Sequence, residues 1–212
     1  MVALVITSII AYLIGSISFS VIYTKKFAGF DVREKGSGNA GSTNVLRTAG
    51  KGIAILTLIC DILKGVVAIA IALLIGVIVK ADDRTRAMLV QAAGVLVVIG
   101  HTFPVFFNFK GGKGVATSLG VLLMINWKIG LICLTFALII MAITRIVSVG
   151  SIAAAILFPV LCLFLNQNFL VESFHFGYII FGLIMAVIVI FNHRENVKRI
   201  IEGKENKLSF KK

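Results

Sequence analysis

The sequence predicts an all-α integral membrane protein with about seven transmembrane helices, its N-terminus outside and its C-terminus cytoplasmic. Of the 212 residues, 59% are hydrophobic and only 14% are charged, whereas about a quarter of a soluble domain is charged. The apolar residues also form long runs, and a helix needs about 20 residues to cross a bilayer. This composition excludes a soluble globular domain, a disordered chain and a collagen-like fibre. We therefore expect residues 1–212 to form a single transmembrane domain.

Charged residues separate the first three predicted spans. Met1–Thr24 carries no charged side chain, and we interpret it as a retained helix because it lacks the basic leader and cleavage site of a signal peptide. Ile53–Val79 is apolar except for Asp61 and Lys64, which lie three residues apart and can pair on one helix face. A functional and a structural role for that pair are equally open. Ala87–Phe109 contains no Asp, Glu, Lys or Arg.

The number of spans depends on residues 115–144. As one helix, they would hold Trp127 and Lys128 at mid-membrane, where a lysine costs roughly 3 kcal/mol and where neither residue type is favoured. Two short helices, Val115–Trp127 and Ile129–Thr144, avoid that cost. Each would be only about 20–24 Å long at 1.5 Å per residue, so the hairpin needs a thinner bilayer or burial against neighbours.

The distribution of basic residues supports seven spans. The last two are Ile146–Val171 and Ser173–His193, followed by the basic tail Arg194–Lys212. Seven spans place 16 of the 21 Lys and Arg residues on one side and four on the other, and the positive-inside rule makes the richer side cytoplasmic. The net charge of +12 is therefore concentrated on that face, which predicts anionic partners such as lipid head groups or phosphorylated substrates.

The first polar segment on the predicted cytoplasmic side is Lys35–Arg47. Gly36, Gly38 and Gly41 allow the backbone to approach a ligand and to present N–H groups to an anion. Arg47 can grip a phosphate with two parallel hydrogen bonds. Neutral hydrogen-bonding groups come from Ser37, Asn39, Thr43 and Asn44. A flexible linker is the alternative, but linkers seldom mix Asn, Thr and Arg so densely.

The second segment alternates lysine and glycine at the start of a predicted helix. Lys110 and Lys113 lie among Gly111, Gly112 and Gly114, just after a proline that should end the third span. A glycine-rich turn with two lysines at a helix N-terminus favours phosphate binding. A positive-inside anchor is the alternative, and it explains the lysines but not the glycines.

The third segment follows the last span. His193 and Asn196 should share one helix face, with Arg199 one turn further on, in a stretch that ends near Glu205. An amphipathic, lipid-adjacent tail is an equally good reading of this segment alone. Ser148 lies in a short cytoplasmic stretch that could equally be a plain turn.

Together, the three segments resemble the bacterial acyl-phosphate:glycerol-3-phosphate acyltransferases (the PlsY family). The resemblance rests on Gly36–Arg47, on Gly100–Thr117 and on His193–Arg199, and it extends over the whole chain. The family often has Arg where this chain has Asn192. No His here is followed by an acidic residue four or five positions on, so the His-x4-Asp dyad of acyl-CoA-dependent acyltransferases is missing.

The resemblance implies a seven-helix enzyme of the cell membrane whose active site faces the cytoplasm. Such an enzyme transfers a fatty acyl group from acyl phosphate to the 1-hydroxyl of glycerol 3-phosphate, giving lysophosphatidic acid and inorganic phosphate and starting phospholipid synthesis. We expect no cofactor, no metal and no nucleic acid. The expected partners are the two substrates, membrane lipids and, through a functional link, the enzyme that produces acyl phosphate.

The expected site combines the residues that the resemblance implies with the neighbouring glycines. The expected catalytic residues are Ser37, Arg47, Lys113, His193 and Asn196. The expected substrate-binding residues are Gly36, Gly38, Asn39, Gly41, Thr43, Asn44, Lys110, Gly111, Gly112, Gly114, Ser148, Arg199 and Glu205. We expect the lysine–glycine loop and its amides to hold one phosphate and the arginines, with His193 and Asn196, to hold the other; which loop takes which phosphate is open.

Two further questions stay open at this level. Ser37 could attack as a nucleophile, but hydrogen bonding to the acyl phosphate is preferred because no base is assigned to it. The hydroxyl proton could pass to a substrate phosphate rather than to His193. A phosphate transporter is the competing class of protein, although transporters place polar residues near the midplane and here they crowd one face. A non-catalytic lipid-binding scaffold would not need three dense polar segments.

Overall fold

The computed structural model describes residues 1–164 and 175–207, and every regular element in these ranges is helical. The predicted boundary between the last two spans and the final residues 208–212 of the basic tail lie outside the described residues. The α-helices are α1 (Val2–Gly15), α2 (Phe19–Ala28), α3 (Ser42–Thr48), α4 (Lys51–Ile78), α5 (Asp83–Thr102), α6 (Val115–Ile125), α7 (Trp127–Thr144), α8 (Val147–Phe164), α9 (His175–Asn192) and α10 (Arg194–Ile201). Short 3-10 helices occupy Val32–Glu34 and Val105–Phe107.

The chain forms two compact units, Met1–Ile125 with α1–α6 and Asn126–Lys212 with α7–α10. Within the described ranges, five helical segments are long and apolar enough to cross a membrane: α1 with α2, α4, α5, α7 and α8. A sixth is possible if the pair formed by α9 and α10, bent by 59°, counts as one span. At 11 residues, α6 is shorter than these spans. Seven spans, the orientation of the termini and a single domain stay predictions.

The predicted break within residues 115–144 is confirmed. Helix α6 ends at Ile125 and α7 begins at Trp127. Asn126 lies between them, and its Oδ1 accepts a hydrogen bond from the Ile129 amide at 3.1 Å. A side-chain cap of this kind satisfies an amide that the first helical turn leaves without a backbone partner. The predicted end of α5 is also confirmed, because the helix stops at Thr102, two residues before Pro104.

The first predicted span is broken into two helices between Gly15 and Phe19, a break that the uncharged run Met1–Thr24 was not expected to contain. Lys64 Nζ donates to the carbonyl oxygens of Gly15 at 3.1 Å and Ile17 at 3.0 Å, and so satisfies acceptors at the end of α1. Lys64 also pairs with Asp61 at 2.9 Å, and both side chains are 3% exposed. The predicted pairing is confirmed, and the hydrogen bonds from Lys64 to the two carbonyl oxygens stabilise the break between α1 and α2.

In the first unit, glycines allow α4 and α6 to pack with their backbones in close approach. A Cβ added to Gly65 on α4 would collide with the carbonyl oxygen of Thr117, and a Cβ on Gly120 of α6 would collide with that of Ile62. Small residues permit such approach between membrane helices, where close packing replaces the hydrophobic effect as a driving force. This packing holds α6, and therefore the lysine–glycine segment before it, against α4.

In the second unit, aromatic rings and a proline line the contact between α8 and α9. Phe158 and Phe181 meet edge to face at 5.9 Å between ring centroids, an arrangement that aromatic quadrupoles favour. A Cβ on Gly182 would lie 3.1 Å from the Cα of Pro159. Ser148 on the first turn of α8 and His193, which directly follows α9, both lie in this unit and are predicted site residues.

Candidate active site

Asn44 organises the first polar segment. It lies on α3 and is 2% exposed. Its Oδ1 accepts from the Ser37 amide at 2.9 Å, and its Nδ2 lies 3.0 Å from three carbonyl oxygens, those of Val32, Lys35 and Asn39. The structure therefore differs from the expectation that Asn44 contacts a ligand, because backbone groups of the loop occupy its amide. Its geometry indicates that it shapes the loop.

The loop that Asn44 holds presents Ser37 between two glycines with left-handed backbones. Gly36 has φ +61° and Gly38 has φ +71°, a region that favours glycine. Gly41 has φ −99°, so left-handed freedom is not required there, and it precedes α3 as its N-cap. Ser37 is exposed, as is Arg47 on the last turn of α3, while Thr43 on its first turn is half-buried.

The structure brings the first and second polar segments together. The carbonyl oxygen of Gly111 accepts from the Ala40 amide and from Asn39 Nδ2, each at 3.4 Å. Lys110 is exposed and Lys113 is half-buried. The lysine–glycine loop Lys110–Gly114 thus adjoins the loop that carries Ser37, and α6 begins directly after it, as predicted.

Two amides of the lysine–glycine loop bond to α5 rather than facing outward. The Gly111 amide donates to the Thr102 carbonyl and the Gly112 amide to the His101 carbonyl, each at 3.1 Å. The expectation that the amides of this loop hold a phosphate is therefore corrected for these two positions, because the unpaired carbonyls at the C-terminus of α5 take them. The lysine side chains remain the candidate anion ligands of the loop.

Sequence reasoning missed Asp31 and Arg33. Arg33 Nε and Nη2 donate to the two carboxylate oxygens of Asp31 at 3.0 and 2.7 Å. Arg33 Nη1 donates to the carbonyl oxygens of Phe107 at 2.7 Å and Lys110 at 3.4 Å. Hydrogen bonds from Arg33 hold the pKa of Asp31 well below its usual value. The only sequence signal was the Asp-x-Arg spacing, within a stretch that already looked basic.

In the second unit, four predicted residues form one polar cluster, the Glu205 cluster. The Glu205 carboxylate accepts from Asn196 Nδ2 at 2.6 Å, from Arg199 Nε at 2.7 Å and from Ser148 Oγ at 3.0 Å. Ser148 lies on the first turn of α8, and Asn196 and Arg199 lie on α10. The expected phosphate contact of Glu205 is not favoured, since a carboxylate repels phosphate. Its geometry indicates that it orients three donors.

His193 lies at the junction of α9 and α10 and is 2% exposed. Its Nδ1 is 2.7 Å from the carbonyl oxygen of Val189. Because a carbonyl oxygen only accepts, Nδ1 carries the hydrogen and the lone pair of the neutral ring resides on Nε2. The imidazole is therefore held in one tautomer, with Asn196 three residues further along the chain.

The Glu205 cluster predicts a pH dependence of stability. Burial raises the pKa of Glu205, but hydrogen bonds from Asn196, Arg199 and Ser148 outweigh it and hold the pKa below its usual value. A lowered folded-state pKa stabilises the protein above the unfolded value of about 4.3 and loses that contribution as the pH falls through the folded value. Thermal unfolding in detergent should show the stability gap between wild type and Glu205→Gln constant near pH 7 and shrinking below about pH 4.3. Parallel pH profiles would contradict this expectation.

The cysteines lie apart from these clusters. Cys133 and Cys162 are buried, and Cys60 is half-buried with its Sγ 3.2 Å from Tyr23 Oη. In the part of the chain that the structure describes, no group of three or more His, Cys, Asp and Glu side chains could hold a metal ion.

Residues 5–203 match the model of the glycerol-3-phosphate acyltransferase family. The glycerol-3-phosphate acyltransferases of Clostridioides difficile (strain 630) and Thermoanaerobacter sp. (strain X514) are 41% and 44% identical to this chain over 208 residues. The alignments cover 98% of this chain and 97% and 96% of the two relatives.

The fold is also similar to crystal structures of PlsY, an integral membrane glycerol 3-phosphate acyltransferase. The glycerol 3-phosphate form has a TM-score of 0.82 at 36% identity, and the lysophosphatidic acid form 0.79 at 34%. Both comparisons cover 97% of this chain, with 96% and 95% of the PlsY chain. Motifs, full-length relatives and fold agree, and the chain is an integral membrane enzyme that belongs to the glycerol-3-phosphate acyltransferase family.

Proposed function

We propose that this enzyme transfers a fatty acyl group from acyl phosphate to the 1-hydroxyl of sn-glycerol 3-phosphate at the cytoplasmic face of the cell membrane. The products are lysophosphatidic acid and inorganic phosphate, and the reaction begins phospholipid synthesis. The observation that carries the proposal is the hydrogen-bonded junction of the Ser37 loop and the lysine–glycine loop through the Gly111 carbonyl. That junction assembles hydroxyl and lysine side chains suited to a phosphorylated substrate.

The chemistry needs positioning and charge stabilisation more than activation. The hydroxyl oxygen of glycerol 3-phosphate forms a bond to the acyl carbon, and the bond from that carbon to the phosphate oxygen breaks. Phosphate is a good leaving group. Most of the catalysis therefore comes from holding the two substrates within reach of each other and from stabilising the negative charge that develops on the acyl oxygen. Lys110 and Lys113 hold one phosphate and Arg47 contributes to holding the other. The exposed Ser37 donates a hydrogen bond to the acyl phosphate.

The proton of the attacking hydroxyl passes to a phosphate oxygen of a substrate in this proposal, so no protein base is required. His193, held in one tautomer by Val189, and Asn196 orient the reacting groups. His193→Gln, which keeps hydrogen-bonding groups but cannot act as a base, should therefore retain turnover. Loss of turnover in this variant with both substrates still bound at wild-type affinity would contradict the assignment and point to His193 Nε2 as the base.

The test uses purified protein with palmitoyl phosphate and glycerol 3-phosphate, following inorganic phosphate and lysophosphatidic acid together. We expect equal amounts of both products, and a loss of roughly a hundredfold or more in kcat/KM for Lys113→Ala and for Arg47→Ala, since each removes a charge from a phosphate site. Lys51→Ala, which also removes an exposed cation from the basic region, should retain wild-type activity. Palmitoyl-CoA should give no product.

Other outcomes would replace the proposal. Phosphate release without lysophosphatidic acid would indicate a phosphatase or a different acceptor. A folded protein that binds glycerol 3-phosphate but shows no turnover would mean that acyl phosphate is not its acyl donor. Coupling the assay to an acyl-phosphate-producing enzyme should sustain the reaction, because the acyl phosphate has to be supplied by such an enzyme.

A further inference from the structure

A turn of unusual backbone conformation leads into the lysine–glycine loop. Asn108 has φ +54° and Phe109 has φ +57°. Asparagine tolerates the left-handed region, whereas a bulky aromatic residue there is a true outlier. Such conformations persist only where surrounding contacts hold them, and they cluster at functional sites. The contacts that hold this turn therefore bear on the loop that follows it.

Arg33 contacts both ends of that turn. Its Nη1 donates to the Phe107 carbonyl at 2.7 Å and to the Lys110 carbonyl at 3.4 Å, so one nitrogen joins the residues that flank the left-handed pair. The 3-10 helix that carries Arg33 begins after Asp31, far from this turn in sequence. The contact is thus a tertiary one, made across more than 70 residues.

The Asp31 carboxylate holds the guanidinium of Arg33 in a fixed position. Asp31 accepts from Arg33 Nε and Nη2 with its two oxygens and from the Arg33 amide at 3.0 Å. Lys25 adds a second cation 3.3 Å from the same carboxylate. Side chains of Asp31 and Arg33 are 7% and 19% exposed. A bidentate pair of this kind sets both position and plane of the guanidinium, and each of its three nitrogens donates to a protein acceptor.

We propose that Arg33 is a positioning residue for the lysine–glycine loop: it holds the Phe107–Lys110 turn in its left-handed conformation and thereby sets where Lys110 and Lys113 lie. The inference rests on the proposed function, in which this loop binds a substrate phosphate. Arg33 acts through the backbone and does not itself ligate the phosphate, because its nitrogens are taken by Asp31 and by carbonyl oxygens.

The effect of losing Arg33 should be local. Gly111 and Gly112 stay bonded to the end of α5, and the Gly111 carbonyl stays bonded to Asn39 and Ala40. Only the Lys110 end of the loop loses a tertiary restraint, and it keeps the local hydrogen bonds from the Phe109 amide to the Pro104 carbonyl and from the Lys110 amide to the Phe107 carbonyl. Substrate affinity should therefore fall while the helices and the step after binding are little changed.

The experiment measures steady-state kinetics of the full-length enzyme in detergent, varying palmitoyl phosphate and glycerol 3-phosphate separately. Arg33→Ala should raise KM for one of them by roughly ten- to hundredfold, the range for losing hydrogen bonds from a charged group, with kcat changed by less than about threefold. Asp31→Asn, which keeps the shape but removes the charge, should shift the same KM in the same direction. Phe109→Gly in the Arg33→Ala background should recover part of the loss, because glycine enters the left-handed region without a side-chain penalty.

Arg86→Ala is the matched control. Arg86 also pairs with an aspartate, Asp83 at 3.7 Å, and donates to a turn carbonyl, Ala81 at 3.4 Å, so its removal tests the loss of a similar arginine elsewhere and should leave both KM values unchanged. An unchanged KM in folded Arg33→Ala and Asp31→Asn would overturn the inference, as would no recovery by Phe109→Gly. If wild type itself makes no lysophosphatidic acid, the proposed function fails instead; if Lys113→Ala is impaired and Arg33→Ala is normal, only the inference fails.

Discussion

Replacing Gly111 by alanine is expected to lower kcat/KM by about a hundredfold or more. The new Cβ would collide with the carbonyl oxygen of His101 and lie 2.8 Å from that of Thr102. Both obstacles are backbone atoms at the end of α5, so neither can rotate away. The loop must move instead, and a shift of about 1 Å in a positioning element can cost 10²-fold in rate.

The neighbouring glycine offers a sharper version of the same test. A Cβ on Gly112 would collide with the imidazole of His101, which is a side chain rather than backbone. His101 is 7% exposed, and its Nδ1 lies 3.5 Å from Asp61, so the ring has little room to yield. Gly112→Ala should therefore lose activity. The double variant Gly112→Ala/His101→Ala should regain part of that activity, because removing the imidazole makes room for the new Cβ.

Gly52→Ala is the control for both substitutions. A Cβ on Gly52 meets nothing within 4 Å, and alanine favours a helix over glycine by up to about 1 kcal/mol, so activity should persist and α4 should not weaken. The measurement is kcat/KM for each substrate with the unfolding temperature recorded in parallel. Equal activity of Gly111→Ala and Gly52→Ala would show that the contact between loop and α5 does not position the substrate.

Replacing Glu205 by alanine is expected to reduce both stability and activity severely. Asn196, Arg199 and Ser148 would lose their shared acceptor, and Asn196 and Ser148 are only 5% and 4% exposed. Hydrogen bonds to a charged group contribute about 1.5–3 kcal/mol each. The loss should lower the unfolding temperature by several degrees, since each 1 kcal/mol is worth about 2–4 °C at this size, and kcat should fall because the predicted catalytic Asn196 is no longer oriented.

Glu202→Ala is the control for Glu205→Ala. Glu202 pairs with Lys204 at 3.4 Å and its side chain is 39% exposed, so its removal deletes a carboxylate of the same segment without touching the Glu205 cluster. Exposed pairs contribute about 0–1 kcal/mol. The unfolding temperature and kcat of Glu202→Ala should match wild type, and the same values for Glu205→Ala would refute the role given to the cluster.

Features that depend on local composition were predictable from the chain. The apolar runs predicted the helices. Trp127 and Lys128, which interrupt the run 115–144, predicted the break at Asn126, because burying a charge at mid-membrane costs more than ending a helix. Pro104 predicted the end of α5 for an equally local reason. The lysine–glycine loop before α6 also follows from residues that are adjacent in sequence.

Features that depend on distant partners were decided only by the tertiary structure. At the break between α1 and α2, Lys64 from α4 donates to the carbonyl oxygens that the break leaves without helical partners. At the turn that contains Phe109, the donor is Arg33, which lies 74 residues before Phe107 in the sequence. The sequence predicted that Asn44 and the Gly111 amide contact a ligand, but in the folded chain both donate to backbone carbonyl oxygens. Residue type and spacing determined which groups are able to bind phosphate. Buried polar groups must also form hydrogen bonds, and only the tertiary structure determined which of the candidate groups already donate to other parts of the protein.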